Sequence, residues 1–201
     1  MHERSTAELE TGLAAVRAAP ADSGTVELIV RRPAIGAREV VATGTLTDAD
    51  GLAGDTWRAR GSRHTPDGSA ERNRQLTMVN ARAVALVAGD DRARWPLAGD
   101  QLYVDLDISE DNLPPGTRLR LGATAVVEVS EEPHTGCAKF RDRFGVDAGR
   151  FVNSPDGRRL RLRGLNARVV TSGDVTTGDL VTVVSRPPQP ADPSPARSAA
   201  R

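Results

Sequence analysis

Apolar residues repeat at every second position in short runs from Thr25 onward, and this period constrains the fold more than any other feature of the chain. Such alternation places apolar side chains on one face of a β-strand and polar side chains on the other. It recurs in the segments 25–33, 101–109, 117–132, 158–173 and 179–186. Many short strands separated by turns predict a mainly β fold with a few short helices, closed or nearly closed into a β-barrel.

Three of these runs predict which side chains face the core. The first strand is expected to bury one face formed by Val26, Leu28 and Val30. The run 117–132 divides at Gly122 and Ala123, which predicts a β-hairpin. In the run 158–173 leucines alternate with arginines, so we expect a strand whose solvent face carries Arg159, Arg161 and Arg163.

Two segments have helical periodicity. Residues 5–20 begin with Ser-Thr-Ala-Glu, a capping-box sequence, which predicts a short amphipathic helix packed on the outside of the domain. Asn80 is a suitable N-cap for a second helix that ends at Gly89. The polar stretch 57–75 has no strand pattern and is predicted to be a long loop.

The chain is therefore divided into an N-terminal helix and linker (1–22), a barrel domain (23–185) and a Pro-rich tail (186–201). The tail is rich in Pro, Ser and Ala and offers nothing to bury, so it is predicted to be disordered.

Composition excludes several classes of protein. The 27 basic residues balance the 27 acidic ones, which argues against a general nucleic-acid or membrane-surface binder. One cysteine cannot form an internal disulfide, and no apolar run approaches the roughly 20 residues that span a bilayer. The N-terminus lacks the apolar core of a secretory signal. We expect a soluble, cytoplasmic protein that acts on a small molecule.

The single cysteine, Cys137, follows the predicted strand that ends near residue 132, in the sequence Pro-His-Thr-Gly-Cys. Gly136 would allow the backbone to approach a ligand closely. Lys139 and Arg141 follow, and positive charge near a thiol favours the thiolate, which is the nucleophilic and metal-binding form. A free cysteine is also commonly a small buried hydrophobe, so the residues alone leave both interpretations open.

Histidines and arginines supply further candidates. His134 lies three residues before the cysteine, whereas His64 would be the better base if the long loop folds over the barrel mouth. Either histidine can equally be an ordinary loop residue. Five basic side chains could converge on an anionic ligand through charge-assisted hydrogen bonds, although solvated surface charge also explains most of them individually. They are Arg72, Arg74, Lys139, Arg141 and Arg143.

The order of the segments resembles the MOSC family, named for the C-terminal domain of molybdenum cofactor sulfurases. The likeness covers about residues 24–184, and the matching elements are GLAGD (51–55), RQLTMVNARAV (74–84), LAGDQLYVDLDISEDNLPPGTRLRLG (97–122), AVVEVSEEPHTGCAKF (125–140) and GRRLRLRGLNARVVTSGDVTTGDLV (157–181). This resemblance implies a β-barrel similar to the domain inserted in pyruvate kinases.

The resemblance also implies a site. Cys137 falls on the family's cysteine, which is proposed either to ligate molybdenum or to carry sulfur as a persulfide. We therefore expect Cys137 to be the metal ligand and a catalytic residue, with His134 as a second catalytic candidate. The candidates for binding the molybdenum cofactor (molybdopterin) are Asn112, Thr135, Gly136, Lys139, Arg141 and Arg72.

Three functions remain open. The leading hypothesis is a molybdenum-cofactor protein that reduces an N-hydroxylated small compound with electrons from another protein. The second is a persulfide carrier that receives sulfur from a cysteine desulfurase. The third is a non-catalytic small-molecule-binding barrel, because the long loop lacks the paired glycines that follow the histidine in some relatives. Pyridoxal phosphate is not expected, since in the full sulfurases it belongs to a separate desulfurase domain.

Overall fold

The structure is a computed structural model that describes residues 3–89 and 91–188. The strands are β1 (Ser23–Arg31), β2 (Glu39–Val41), β3 (Thr43–Thr47), β4 (Gly51–Leu52), β5 (Leu76–Asn80), β6 (Leu102–Asp105), β7 (Arg118–Leu121), β8 (Ala125–Val129), β9 (Leu165–Thr171), β10 (Gly173–Thr176) and β11 (Leu180–Ser185). The α-helices are α1 (Thr6–Thr11), α2 (Leu13–Arg17), α3 (Trp57–Arg60), α4 (Ala81–Ala88), α5 (Ala138–Phe144), α6 (Val146–Asn153) and α7 (Pro155–Arg159). Short 3-10 helices cover Arg72–Arg74 and Arg92–Ala98.

Seven strands close into a barrel in the order β1, β11, β7, β8, β9, β5, β6 and back to β1. The ring closes at β1, which pairs with β11 along Ser23–Thr25 and with β6 along its other edge. All neighbours are antiparallel except β5 and β6. Closure leaves no long unpaired edge in the ring, which confirms the predicted mainly β barrel.

A second, three-stranded sheet of β10, β3 and β4 packs against the barrel. The alternation pattern did not predict these short strands. Leu46, Leu52 and Val175 from this sheet belong to the same apolar cluster as the barrel interior. The second sheet therefore extends the barrel core.

The apolar side chains form two cores on opposite sides of the barrel wall. The inner core contains the alternating residues of β6 to β9, including Leu102, Val104, Leu119 and Val127. The outer core lies between the wall and the helices, and Tyr103 reaches it from the other face of β6. Because the wall is covered on both faces here, strict polar alternation fails along β6.

The predicted face of the first strand is wrong, because a β-bulge interrupts it. The pairing register with β6 shifts between Val26 and Leu28. The extra residue reverses the side-chain direction, so Val26 and Ile29 face the inner core. Leu28 and Val30 pack instead in the outer core against the helices.

The predicted strand through the arginine–leucine run is also wrong. Helix α7 ends at Arg159, a turn follows, and β9 begins only at Leu165. Arg161 has a positive φ of 48°, which a strand residue does not adopt. Arg163 is buried rather than solvated. The apparent alternation therefore came from a turn, not from a pleated strand.

The predicted N-terminal helix and the predicted hairpin agree with the structure. Ser5 and Glu8 form the reciprocal capping box, but the helix divides at Gly12 into α1 and α2. Leu9 and Val16 anchor the two pieces in the outer core. The hairpin pairs β7 with β8 around Gly122.

The helix predicted from Asn80 is α4. The Asn80 side chain accepts a hydrogen bond from the Arg82 amide at 2.8 Å and donates one to the Leu106 carbonyl at 2.9 Å. Gly89 ends the helix with a positive φ of 76°. Asn80 thus caps the helix and joins it to the barrel.

The three helices after the cysteine were not predicted. Helices α5, α6 and α7 follow one another from residue 138 to residue 159 and carry the buried side chains Phe140, Phe144, Ala148, Phe151 and Val152.

The loop predicted for 57–75 is free of strands but contains α3 and a 3-10 turn. The predicted tail lies outside the described residues from position 189 onward. Within the described ranges, no helix has the length and apolarity to cross a membrane.

Replacing Asn80 with Ala should lower the free energy of unfolding by about 2 kcal/mol or more, because the helix cap is lost and the buried Leu106 carbonyl loses a donor. Asp91→Ala, which removes an exposed cap of the 3-10 helix 92–98, should cost about 1 kcal/mol or less. Urea denaturation of both variants measures the difference. Equal losses would contradict the assigned second role of Asn80.

Candidate functional site

Cys137 lines a cleft of about 320 Å³ on the outside of the barrel. Among the described residues, six basic side chains and no acidic one line the same cleft: Arg32, Arg38, Arg60, Lys139, Arg143 and Arg163. Thr56 and Phe140 complete its polar and aromatic lining. An opening of this composition is suited to a small anion.

Gly99 forms the point on which three of these arginines converge. Arg32 Nη1 donates to the Gly99 carbonyl at 3.2 Å. A β-carbon placed on Gly99 would lie 3.6 Å from Arg38 Nη2 and 3.9 Å from Arg143 Nη1. Gly99 also has a positive φ of 92°, a conformation that favours glycine. The positive φ therefore favours glycine in the turn before β6, and three guanidinium groups lie close to this turn.

The crowding of cations has an electrostatic cost that a bound anion would relieve. Partial burial lowers the pKa of Arg38 from its ordinary value, and the charges of Arg143 and Arg32 lower it further. Arg143 donates to the Leu97 carbonyl and Arg38 to its neighbour Ala37, so neither hydrogen bond neutralises charge. An anion in the cleft would supply the missing countercharge.

Two buried carboxylates hold two of the arginines rigidly from behind. Asp55 accepts from Arg32 Nε at 2.8 Å and from Nη2 at 2.9 Å, a bidentate pair. Asp100 accepts from Arg163 Nη1 at 2.6 Å, and Arg163 Nη2 donates to the Ala98 carbonyl at 2.8 Å. The Arg163 guanidinium also lies 5.1 Å from the centre of the Phe140 ring.

Asp100 is fully buried, and burial raises the pKa of its carboxyl from 3.8, against the opposing effects of Arg163 and Arg32. His134 Nδ1 lies 3.3 Å from Asp100 Oδ1. Burial lowers the pKa of His134 well below 6.5, and the charges of Arg163, Arg32 and Arg74 add to this effect. His134 is therefore neutral at neutral pH, and its contact with Asp100 is not an ion pair.

The thiol of Cys137 is exposed and has no disulfide partner. Cys137 is the N-cap of α5, and its carbonyl accepts from the Phe140 amide at 3.0 Å, while its side chain makes no capping bond. Burial as a core hydrophobe, the alternative left open by the sequence, is therefore wrong. The thiol faces the solvent at the wall of the cleft.

Asn153 fixes the backbone in front of the cysteine. Its Oδ1 accepts from the Gly136 amide at 2.9 Å, and its Nδ2 donates to the Gly136 carbonyl at 3.0 Å. A β-carbon on Gly136 would lie 2.9 Å from Asn153 Nδ2 and from a Val152 methyl group. Gly136 is thus needed for close packing against α6, and this packing sets the position of Cys137.

The other predicted site residues lie in different places. Of the predicted cofactor-binding set, Lys139 lines the cleft, whereas Thr135 lines a neighbouring cavity of about 200 Å³ together with His134. Asn112 donates to the carbonyls of Ala21 and Asp107 and lines a third opening.

The remaining candidates lie on the surface outside the cleft lining. Arg72 pairs with Asp48. Arg141 packs over Gly149, where a β-carbon would collide with its side chain. His64 lies exposed in the loop 57–75. Their binding roles remain predictions, and the structure does not bring them to Cys137.

Arg32, Arg38, Asp100 and Arg163 were missed by sequence reasoning. The local signal at this place is the pair Gly99-Asp100, which as a sequence pattern indicates only a turn. Within the described ranges, no group of three or more His, Cys, Asp or Glu side chains could hold a metal ion. A metal at this site would therefore need ligands from a bound cofactor in addition to Cys137.

Solved structures share this architecture. YuaD from Bacillus subtilis matches with a TM-score of 0.57 at 17% identity, covering 80% of this chain and 95% of YuaD. YiiM from Escherichia coli matches with a TM-score of 0.53 at 20% identity, covering 81% of this chain and 71% of YiiM. The chain has the YuaD and YiiM fold.

A third structure, described as that of a hypothetical protein, also matches this fold, with a TM-score of 0.56 at 22% identity over 86% of this chain and 71% of that protein. No protein-family model and no curated protein sequence matches the chain. The relation to these neighbours is therefore one of fold.

His134 should make stability depend on pH. Because its folded-state pKa is lowered, its contribution is present above pH 6.5 and is lost as the pH falls towards the folded-state value. This loss reaches at most about 1.4 kcal/mol per pH unit. The raised pKa of Asp100 acts with the opposite sign.

Denaturant unfolding is measured from about pH 7.5 to about pH 5, the range in which a histidine titrates. Over this range His134→Gln should lose less stability than the unmodified chain. His64→Gln, a substitution in an exposed loop, serves as the control. Parallel pH profiles for all three proteins would show that His134 is not held neutral by the fold.

Proposed function

We propose that this chain is a MOSC-type protein whose basic cleft binds the molybdenum cofactor through Cys137 and that it supports reduction of an N-hydroxylated small compound. The observation that carries the proposal is the exposed thiol of Cys137 in a cleft lined by six basic side chains and no acidic one. The fold agrees with it, since YuaD and YiiM are MOSC-domain proteins.

The residues of the cleft fit such a cofactor chemically. A thiolate is a soft ligand that suits a redox-active metal, and arginines suit the phosphate of a pterin cofactor. The cleft volume of about 320 Å³ falls at the lower end of typical small-molecule sites, which start at about 300 Å³. When bound, the cofactor would supply the redox-active molybdenum centre.

The protein's own residues divide into fixed and adaptable groups. Arg32 and Arg163 are held by Asp55 and Asp100, so they would meet a phosphate without first being ordered. Arg38, Arg60, Lys139 and Arg143 have no carboxylate partner in the described part of the chain, and they can close on an anion from the rim. Asn153 would hold Cys137 in place through the Gly136 backbone.

A persulfide carrier is the second candidate, and the exposure of Cys137 favours it. A sulfur carrier must present its sulfur to a desulfurase and then to an acceptor, which requires an accessible thiol. In this function the basic side chains would bind an acidic partner surface or an anionic acceptor instead of a resident cofactor.

Expression in a host that makes the molybdenum cofactor should give protein that contains molybdenum and pterin, measured by elemental analysis and by pterin fluorescence after oxidation. Cys137→Ala should lose most of the molybdenum, because the sequence has no second thiol that could replace it. Cys137→Ser is the matched polar control, and circular dichroism verifies folding of both. Equal molybdenum contents in all three proteins would exclude Cys137 as the ligand.

Mass spectrometry after incubation with a cysteine desulfurase and cysteine separates the second candidate from the first. A sulfur adduct on Cys137 in protein that contains no molybdenum would favour the carrier. Protein that acquires neither metal nor sulfur would refute both functions and leave a small-molecule-binding barrel.

Two arginines offer a test of the cofactor-binding region. Arg38→Gln removes a cleft charge that has no carboxylate partner among the described residues and should weaken cofactor retention about tenfold, as expected for one charge-assisted hydrogen bond. Arg72→Gln removes a charge that pairs with Asp48 outside the cleft lining and should leave retention unchanged. The pterin content after graded dialysis measures retention. A larger effect at Arg72 would place the cofactor near Arg72, which is also a candidate from the sequence, and outside the cleft.

A further inference from the structure

Two buried polar atoms face each other without an aligned hydrogen bond. His134 Nδ1 and Asp100 Oδ1 lie 3.3 Å apart, and neither atom has a well-aligned hydrogen bond in the described part of the chain. Two unprotonated atoms at this distance would repel each other, so a proton has to lie between them. The other carboxylate oxygen, Oδ2, is already occupied by Arg163. The Thr77 side chain also lies close to Asp100 and opposes the rise of its pKa.

The proton belongs on the imidazole. A neutral histidine carries one ring proton in either tautomer, and placing it on Nδ1 satisfies both buried atoms without adding charge. Asp100 then remains the anion that balances Arg163 at 2.6 Å. Nε2 is consequently left as an unprotonated hydrogen-bond acceptor.

Nε2 faces the cavity of about 200 Å³ that lies beside the cleft. His134 lines this cavity, and its side chain is 17% exposed although Nδ1 is completely enclosed. Nε2 is not one of the enclosed unpartnered atoms, and it takes part in no hydrogen bond of the described residues, so it is the accessible ring nitrogen. A polar atom in this position is free to accept a hydrogen bond from a ligand.

Burial, assisted by the surrounding positive charges, keeps the ring neutral. Arg163, Arg32 and Arg74 lower the pKa of His134 together with burial. The other charged groups of the cavity are Glu110, Glu131, Glu132, Arg158 and Arg161, which are of mixed sign. His134 therefore acts as a constant acceptor near neutral pH and not as a cation.

The backbone at Gly164 passes close to the His134 ring. Gly164 has a positive φ of 104°, and a β-carbon there would lie 3.2 Å from His134 Nδ1 and 2.4 Å from the Met78 carbonyl. Only glycine lets the segment before β9 pass this close to the ring.

We propose that this cavity is a second ligand site, in which His134 Nε2 accepts a hydrogen bond from an N–H or O–H group of a small polar molecule and Asp100 is the positioning residue that fixes the tautomer. The inference goes beyond the cofactor proposal and does not depend on what occupies the cleft.

Nitrogen-15 NMR of the imidazole rings tests the tautomer directly on the full chain. The sequence has three histidines, and the spectrum of His134→Gln identifies the signals of His134. We expect a protonated Nδ1 and an unprotonated Nε2 at neutral pH. A protonated Nε2 in the unmodified protein would overturn the proposal.

Asp100→Asn should reverse the tautomer. The asparagine carbonyl would remain on Arg163, so its amide group would donate to Nδ1 and leave the ring proton on Nε2. Asp55→Asn is the matched control, because Asp55 is equally buried but pairs with Arg32. A reversal in both variants, or in neither, would contradict the positioning role of Asp100. If Asp100→Asn fails to fold, the spectrum of the unmodified protein decides the tautomer.

Acetohydroxamic acid, which carries one N–H and one O–H donor, serves as the probe ligand. Its addition should shift the His134 Nε2 resonance to saturation and leave the His64 signals in place. Thr135→Val, at the rim of the same cavity, should weaken this response while preserving the tautomer. An Nε2 signal that does not respond to the probe would refute the cavity as a ligand site.

Discussion

The buried ion pair between Arg163 and Asp100 is the interaction on which the rest of the site depends. Taking both charges out of water costs several kcal/mol per ion, and a pair recovers this only with good geometry and further hydrogen bonds. Here the bond of 2.6 Å, the Ala98 carbonyl and the Phe140 ring supply them. The pair joins the turn before β6 to the turn before β9, and Arg163 also contacts the ring of Phe140 in α5. It thereby sets the floor of the cleft on one side and the orientation of His134 on the other.

The alternation of apolar residues predicted the barrel because a closed β-sheet imposes period two wherever one face is solvated. The same rule failed at the first strand, where a bulge reverses the side chains after Val26, and at the run 158–163, where a turn imitates a strand. Both failures have one cause. Alternation reports the spacing of apolar residues, but it does not report the backbone conformation that a bulge or a positive φ at Arg161 imposes. No helix was predicted after Cys137, although Phe140 and Phe144 stand four residues apart, the spacing of one helix face.

The sequence pointed to the cysteine of the candidate site but not to most of its arginines. Cys137 is the single cysteine of the chain, and the resemblance to the MOSC family, not the local sequence, made it the leading candidate. Arginine is the common base of this sequence, and nothing local distinguishes Arg38 in the cleft from Arg72 on the surface. What separates them is the tertiary structure: three guanidinium groups lie close together beside Gly99, while Asp48 neutralises Arg72. Convergence of this kind is a property of the closed barrel, in which segments far apart in sequence meet beside one turn.

A chain with no net charge can still carry a strongly basic cleft, because its acidic residues lie elsewhere. The balance of 27 bases and 27 acids argues against binding of extended polyanions, but it does not bear on a small anion held by a few side chains. Arginine remains charged at any physiological pH, so anion binding in the cleft should depend little on pH. His134 and Asp100, whose pKa values are shifted, lie behind the cleft and interact with two of its arginines, Arg163 and Arg32. A pH dependence of ligand binding that arises from these two groups would therefore act through the position of Arg163 and Arg32 and not through the charge of the cleft itself.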